Sequence, residues 1–276
     1  LMAFLGVFIL SPDAVLIRLA NTDSWSILFW RGIFYALGII IIVLITYRSK
    51  AIKEVKKVGK DGILIGILTG FGSVTFVFAI QLTSIASALV IISTMPMMTA
   101  IISWIILKEK SGISTWLAMI IIAIGIYIVM SDEPSGSNLM GNLSAFASVI
   151  FGASCFTLIR KNKNINMIPA MGISAIVSTL IASIFIKTII LPLDSMLYIV
   201  AMGVMVALSF SLITSSGRYI PATEVGMFMP LGAVFGILAG WLIISEQPSN
   251  NALIGGFIVL ITLFIHAWHS NKIAKD

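Results

Sequence analysis

WIILKE at Trp104–Glu109 and WLIISE at Trp241–Glu246 are nearly the same phrase. Each closes a long apolar run, and each is followed by a short polar turn and a further apolar run: SGISTWLAMIIIAIGIYIV after the first, PSNNALIGGFIVLITLFI after the second. A chain of 276 residues that is 59% hydrophobic and 10% charged cannot bury that much apolar surface in one soluble core. The lipid bilayer is the solvent that fits.

The apolar material falls into ten blocks of about 20 residues, the length that spans the hydrocarbon layer. They run over 2–19, 26–47, 62–82, 86–107, 113–130, 139–159, 167–188, 196–216, 223–244 and 252–268. None alternates apolar with polar residues, so a membrane β-barrel is excluded and ten transmembrane helices are predicted. Leu1 lies inside the first block, which is expected to begin upstream and is not read as a signal peptide. The connections at Thr83–Ile85 and Ser245–Asn251 are short enough to predict tight antiparallel hairpins. Cys155 stands alone, so cysteine usage is silent on redox compartment.

If the first connection faces outward, the inward segments hold fourteen of the 17 lysines and arginines, all but Arg18, Arg31 and Lys187. The positive-inside rule then places both termini in the cytoplasm. The net charge of +6 therefore reflects topology and gives no reason to expect a nucleic-acid partner.

WIILKE ends the fourth block and WLIISE the ninth. An odd number of spans separates them, so the second copy is inverted. A fainter echo joins AVLIRL at 14–19 to CFTLIRK at 155–161. The pattern predicts an all-α integral membrane fold of two inverted five-helix repeats, residues 1–131 and 139–270, joined by an external linker at 132–138 and followed by a cytoplasmic tail at 271–276.

The ten helices in two halves, the arginine early in the second (FWRGIFYALG) and STMPMMTAIISWIILKEK at 93–110 resemble the drug/metabolite transporter superfamily, EamA type, across essentially the whole chain. The resemblance implies a carrier of small metabolites, amino acids or xenobiotics, frequently outward, in a bacterial inner (plasma) membrane. The halves depart from strict equivalence at their prolines. Pro96 stands thirteen residues before Glu109, Pro230 sixteen before Glu246.

The residues themselves nominate a site. Pro96 and Pro230 remove backbone donors inside matching helices, and carbonyls freed at membrane depth survive only against protein or a water-filled cavity. Asp13 and Arg31 each lie about 9 Å inside the same end of adjacent antiparallel helices, so they can neutralise each other, as a structural pair or as a substrate or coupling site. Trp30 joins the candidates as Arg31's neighbour, and Glu224 as a first-turn carboxylate that either stabilises its helix or carries a proton. Arg18 is expected to snorkel. Glu109 and Glu246 are assigned to turns and to the starts of the helices that follow. Stripes of Gly62, Gly66 and Gly70, and of Gly232, Gly236 and Gly240, are expected to be packing faces.

Enzymatic function is not expected, because His266 and His269 are the only histidines and no HExxH, GxSxG, Walker A loop or CxxC occurs. No cofactor and no metal is expected. The partners implied are a small-molecule substrate and the bilayer. A receptor or assembly scaffold is the competing class, separated from a carrier by whether anything crosses a liposome membrane.

Overall fold

The computed structural model describes residues 1–108, 113–131 and 139–273. Glu109, Lys110, the linker at 132–138 and the last three residues of the tail lie outside the described residues.

Among the described residues the fold has fourteen α-helices in chain order: α1 (Met2–Leu10), α2 (Asp13–Leu19), α3 (Ser24–Tyr47), α4 (Ala51–Lys57), α5 (Gly59–Leu82), α6 (Ile85–Ile92), α7 (Met95–Leu107), α8 (Ile113–Met130), α9 (Leu139–Lys161), α10 (Ile168–Phe185), α11 (Leu193–Ser216), α12 (Ala222–Gly226), α13 (Met229–Ile244) and α14 (Asn250–Ile273). Among the described residues, eight helical spans are long and apolar enough to cross a membrane, four of them built from more than one helix: α1–α2, α3–α4, α6–α7 and α12–α13. Their outward faces carry exposed apolar side chains such as Ile41 and Ile45 of α3 and Leu180 and Ile184 of α10. A water-soluble domain would not present such a belt.

The breaks within spans have local causes. Pro12 has no N–H to offer the Phe8 carbonyl, which accepts instead from the Ser11 N–H at 3.3 Å and the Ser11 hydroxyl at 2.6 Å. In the fourth span the helix stops at Ser93–Thr94, whose hydroxyls turn back onto the carbonyls of Leu89 (2.8 Å) and Ile91 (2.7 Å); α7 then restarts with Pro96 in its first turn. Pro230 occupies the same place in α13. The predicted non-equivalence of the two prolines is explained. Both spans are 23 residues long, Ile85–Leu107 and Ala222–Ile244, with the break shifted by three residues, about one turn. Lys108 and Ser245, the residues before the two glutamates, both take a left-handed conformation that ends the helix.

The hairpin predicted at Thr83–Ile85 is a miss. Two residues connect α5 to α6, yet these helices meet only near the turn, and α5 packs along α9 and α10 instead. The principal contacts cross between the halves: α5 on α9, α3 on α10, α8 on α14, α3 on α11 and α1 on α11. The two halves therefore interleave, and neither builds a core alone.

Candidate functional site

The cavity of interest lies where the broken spans meet. Its volume is about 110 Å³, and its wall draws on eight spans: Leu10 and Asp13 from the first, Arg31 and Tyr35 from α3, Ser73 and Phe76 from α5, Met95 from α7, Cys155 and Phe156 from α9, Ser174 from α10, Phe210 from α11 and Met229 from α13. Among the described residues, neither α8 nor α14 contributes to this wall. Met95 and Met229 are the first residues after the breaks in their spans, so each restart of the helix delivers a methionine to the cavity.

Asp13 and Arg31 meet as the sequence predicts. Arg31 Nη2 donates to Asp13 Oδ2 at 2.6 Å, and its Nη1 donates to the Ser73 hydroxyl at 2.9 Å. Asp13 is 1% exposed and Arg31 4%, and among the described residues they are the two buried charged side chains. The break at Ser11–Pro12 makes Asp13 the first residue of α2, where a carboxylate is favoured by the helix dipole. Gly32, the residue after Arg31, lets α3 approach α10: a Cβ there would clash with the Thr179 hydroxyl and lie 3.1 Å from the Ala175 carbonyl. The pair is not saturated. Asp13 Oδ1 and Arg31 Nε are both buried without a hydrogen-bond partner, an acceptor atom and a donor atom left unpaired.

The other predicted residues fall elsewhere. Trp30 does not line the cavity; its indole N–H donates to the Ile189 carbonyl at 3.0 Å, fixing α3 to the α10–α11 connection. Pro96 and Pro230 are buried and shape the breaks without lining the wall. Pro96 sits under Gly226 of α12, where a Cβ would come within 3.2 Å of the Pro96 Cα, so the two broken spans cross at close range. Glu224 is exposed in the first turn of α12 and apart from the cavity. Gly66 and Gly70 pack α5 on α10, and Gly232, Gly236 and Gly240 pack α13 on α1 and α6, as expected; Gly62 instead meets Val58 of the α4–α5 connection.

Two expectations are corrected at the end of the bundle where α2 terminates. Arg18 does not simply snorkel: its Nη2 donates to the Thr83 carbonyl at 2.7 Å, and its Nε lies 3.7 Å from Glu246 Oε2. Glu246 does not serve the start of α14, whose Ala252 N–H is taken by the Ser249 hydroxyl; its Oε1 accepts from the Ile85 N–H at 2.6 Å, capping α6 across the bundle.

The sequence model of the EamA-like transporter family matches residues 1–131 and 139–268. The chain belongs to that family. It is thereby an integral membrane protein of the drug/metabolite transporter type. This EamA-like chain is 24% identical over 256 residues to an S-adenosylmethionine uptake transporter of Rickettsia felis, covering 88% of this chain and 82% of that one. It is 25% identical over 194 residues to a riboflavin transporter of Vibrio cholerae, covering 67% and 64%. A solved crystal structure superposes with a TM-score of 0.75 over 99% of this chain and 97% of the other at 15% identity, which speaks to the fold alone.

Proposed function

We propose that this EamA-like protein is a secondary transporter that carries a small polar or amphipathic metabolite, with amino acids among the candidates, through the Asp13–Arg31 cavity by alternating access. The observation that carries the reading is the cavity itself, which joins a buried, unsaturated ion pair to the breaks of two crossing spans. Broken helices and ionisable groups at membrane depth cost too much to keep without a pathway to serve.

In this reading the ten spans form two inverted repeats of five, with α8 and α14 as the fifth and tenth. The packing supports it, because contacts recur in mirrored pairs: α5 with α9 answers α11 with α1, α10 with α5 answers α3 with α11, and α6–α7 meets α12–α13 as α8 meets α14. Both termini lie in the cytoplasm, and the Arg18 end faces out. Export is favoured on family resemblance; the Rickettsia relatives are named for uptake, so both directions require testing.

At about 110 Å³ the cavity is smaller than the engineered cavity of about 150 Å³ that admits benzene, so a ligand as large as those in the relatives' names requires it to widen. The ion pair is neutral overall and offers an unpaired acceptor atom beside an unpaired donor atom, which disfavours multiply charged anions. The test is purified protein in liposomes, challenged in both directions with amino acids, S-adenosylmethionine and riboflavin, with and without a pH gradient. Flux of at least one compound above empty liposomes is expected. If none of these compounds moves, the reading is rejected and the scaffold class gains.

A further inference from the structure

The corrected contacts of Arg18 and Glu246 belong to one device. Both residues hold the two-residue turn between α5 and α6: Arg18 holds the Thr83 carbonyl at 2.7 Å, and Glu246 holds the Ile85 N–H at 2.6 Å. Their own charges approach to 3.7 Å, within ion-pair range and outside hydrogen-bond length. Three segments distant in sequence are thereby tied at one point: the end of α2, the α5–α6 turn and the end of α13. Glu246 is aimed by its backbone, since left-handed Ser245 turns the chain and the Glu246 N–H returns to the Gly240 carbonyl at 3.2 Å. The side chains are 29% and 26% exposed, so water reaches the pair and it can open.

What lies beneath gives the tie its consequence. Arg18 and Asp13 share the seven-residue α2, about 7.5 Å apart along its axis, and α2 is uncoupled from α1 by the break at Ser11–Pro12. A displacement of Asp13 in the cavity is therefore a displacement of Arg18 at the end of the bundle.

We propose that Arg18 and Glu246 are positioning residues forming an ionic latch that closes the outer end over the cavity, and that α2 transmits the state of the Asp13–Arg31 pair to it. The proposal rests on the transporter reading and on the outward orientation of the Arg18 end. Opening the latch frees the α5–α6 turn and lets α2 swing about Ser11–Pro12.

Cys155, the chain's one cysteine, is a native reporter because it is buried in the cavity wall. Its labelling by a small impermeant methanethiosulfonate is measured in right-side-out vesicles. Glu246→Gln keeps an acceptor for the Ile85 N–H and removes the charge, and Arg18→Gln removes the other partner. Each is expected to raise the labelling rate by about 2- to 5-fold. The double variant should exceed neither single variant by more than about twofold, because one latch opens only once. Arg218→Gln serves as a control, since the Arg218 Nε bonds to the Lys163 carbonyl far from the latch, and should leave the rate unchanged. Size-exclusion elution reports folding, with Glu246→Gln as the conservative case. Unchanged labelling in folded Glu246→Gln and Arg18→Gln, or rate increases that multiply in the double variant, overturns the latch. A failure of the latch leaves liposome flux intact, whereas a failure of the transporter reading shows as absent flux whatever the labelling.

Discussion

Removing either member of the Asp13–Arg31 pair should damage the protein unequally. At a charge separation of about 4 Å and an effective dielectric near 20 the attraction is about 4 kcal/mol, and breaking a buried pair from one side costs about 3–5 kcal/mol. The contact at 2.6 Å, with both partners almost fully buried, puts this pair in that range. The asymmetry comes from proton chemistry. Arg31→Gln leaves a buried carboxyl that can take up a proton and become neutral. Asp13→Asn leaves a guanidinium that cannot lose its charge and retains only Ser73. Asp13→Asn should therefore be the worse single variant, losing about 10 °C in thermal midpoint. Arg31→Gln should lose less and should recover further in acidic buffer. Asp13→Asn with Arg31→Gln should return most of the stability while abolishing flux. The assay is thermal unfolding in detergent, followed by tryptophan fluorescence, paired with liposome flux on the same preparations. An Asp13→Asn midpoint within about 2 °C of the parent would refute the buried-pair reasoning, and a stable double variant with full flux would reduce the pair to scaffolding.

Three further outcomes follow from the packing. Gly226→Ala places a Cβ 3.2 Å from the Pro96 Cα and should cost about 1–3 kcal/mol, read as a lower thermal midpoint; an unchanged midpoint would mean the crossing is looser than described. Pro96→Ala and Pro230→Ala restore a backbone donor and should lower flux more than folded yield, so unaltered flux in both would detach the breaks from the pathway. In a Cys155→Ser background, cysteine at Thr22 should react with an impermeant reagent in intact cells and cysteine at Ser49 only after permeabilisation, the reverse pattern inverting the orientation.

Helices and their approximate ends were legible because the bilayer imposes a length and forbids unpaired backbone. The depth of Asp13 and Arg31 was legible for the same reason, since a constant rise per residue converts sequence position into level. Which helices touch was not legible. The two-residue α5–α6 connection suggested a packed hairpin, but the small faces at Gly66 and Gly70 commit α5 to α10, and side-chain geometry decides such contests. Trp30 lies outside the cavity wall because adjacency to Arg31 says nothing of direction: neighbours on a helix point about 100° apart. The break at Ser11–Pro12 had the same signal as those at Pro96 and Pro230 and could have been found by weighing all three prolines alike. Arg18 and Glu246 were missed individually although both close repeated phrases, AVLIRL and WLIISE. Their meeting depends on how α2, α6 and α13 pack together, which no local pattern displays.

The most direct test of the central claim, that cargo passes through the Asp13–Arg31 cavity, is flux before and after alkylation of Cys155. An N-ethylmaleimide adduct on that thiol would occupy much of a cavity of about 110 Å³. With modification verified by intact mass, the alkylated wild-type protein should lose flux of whichever compound it carries, while Cys155→Ser treated identically should retain it. Full flux through stoichiometrically alkylated protein would contradict the account.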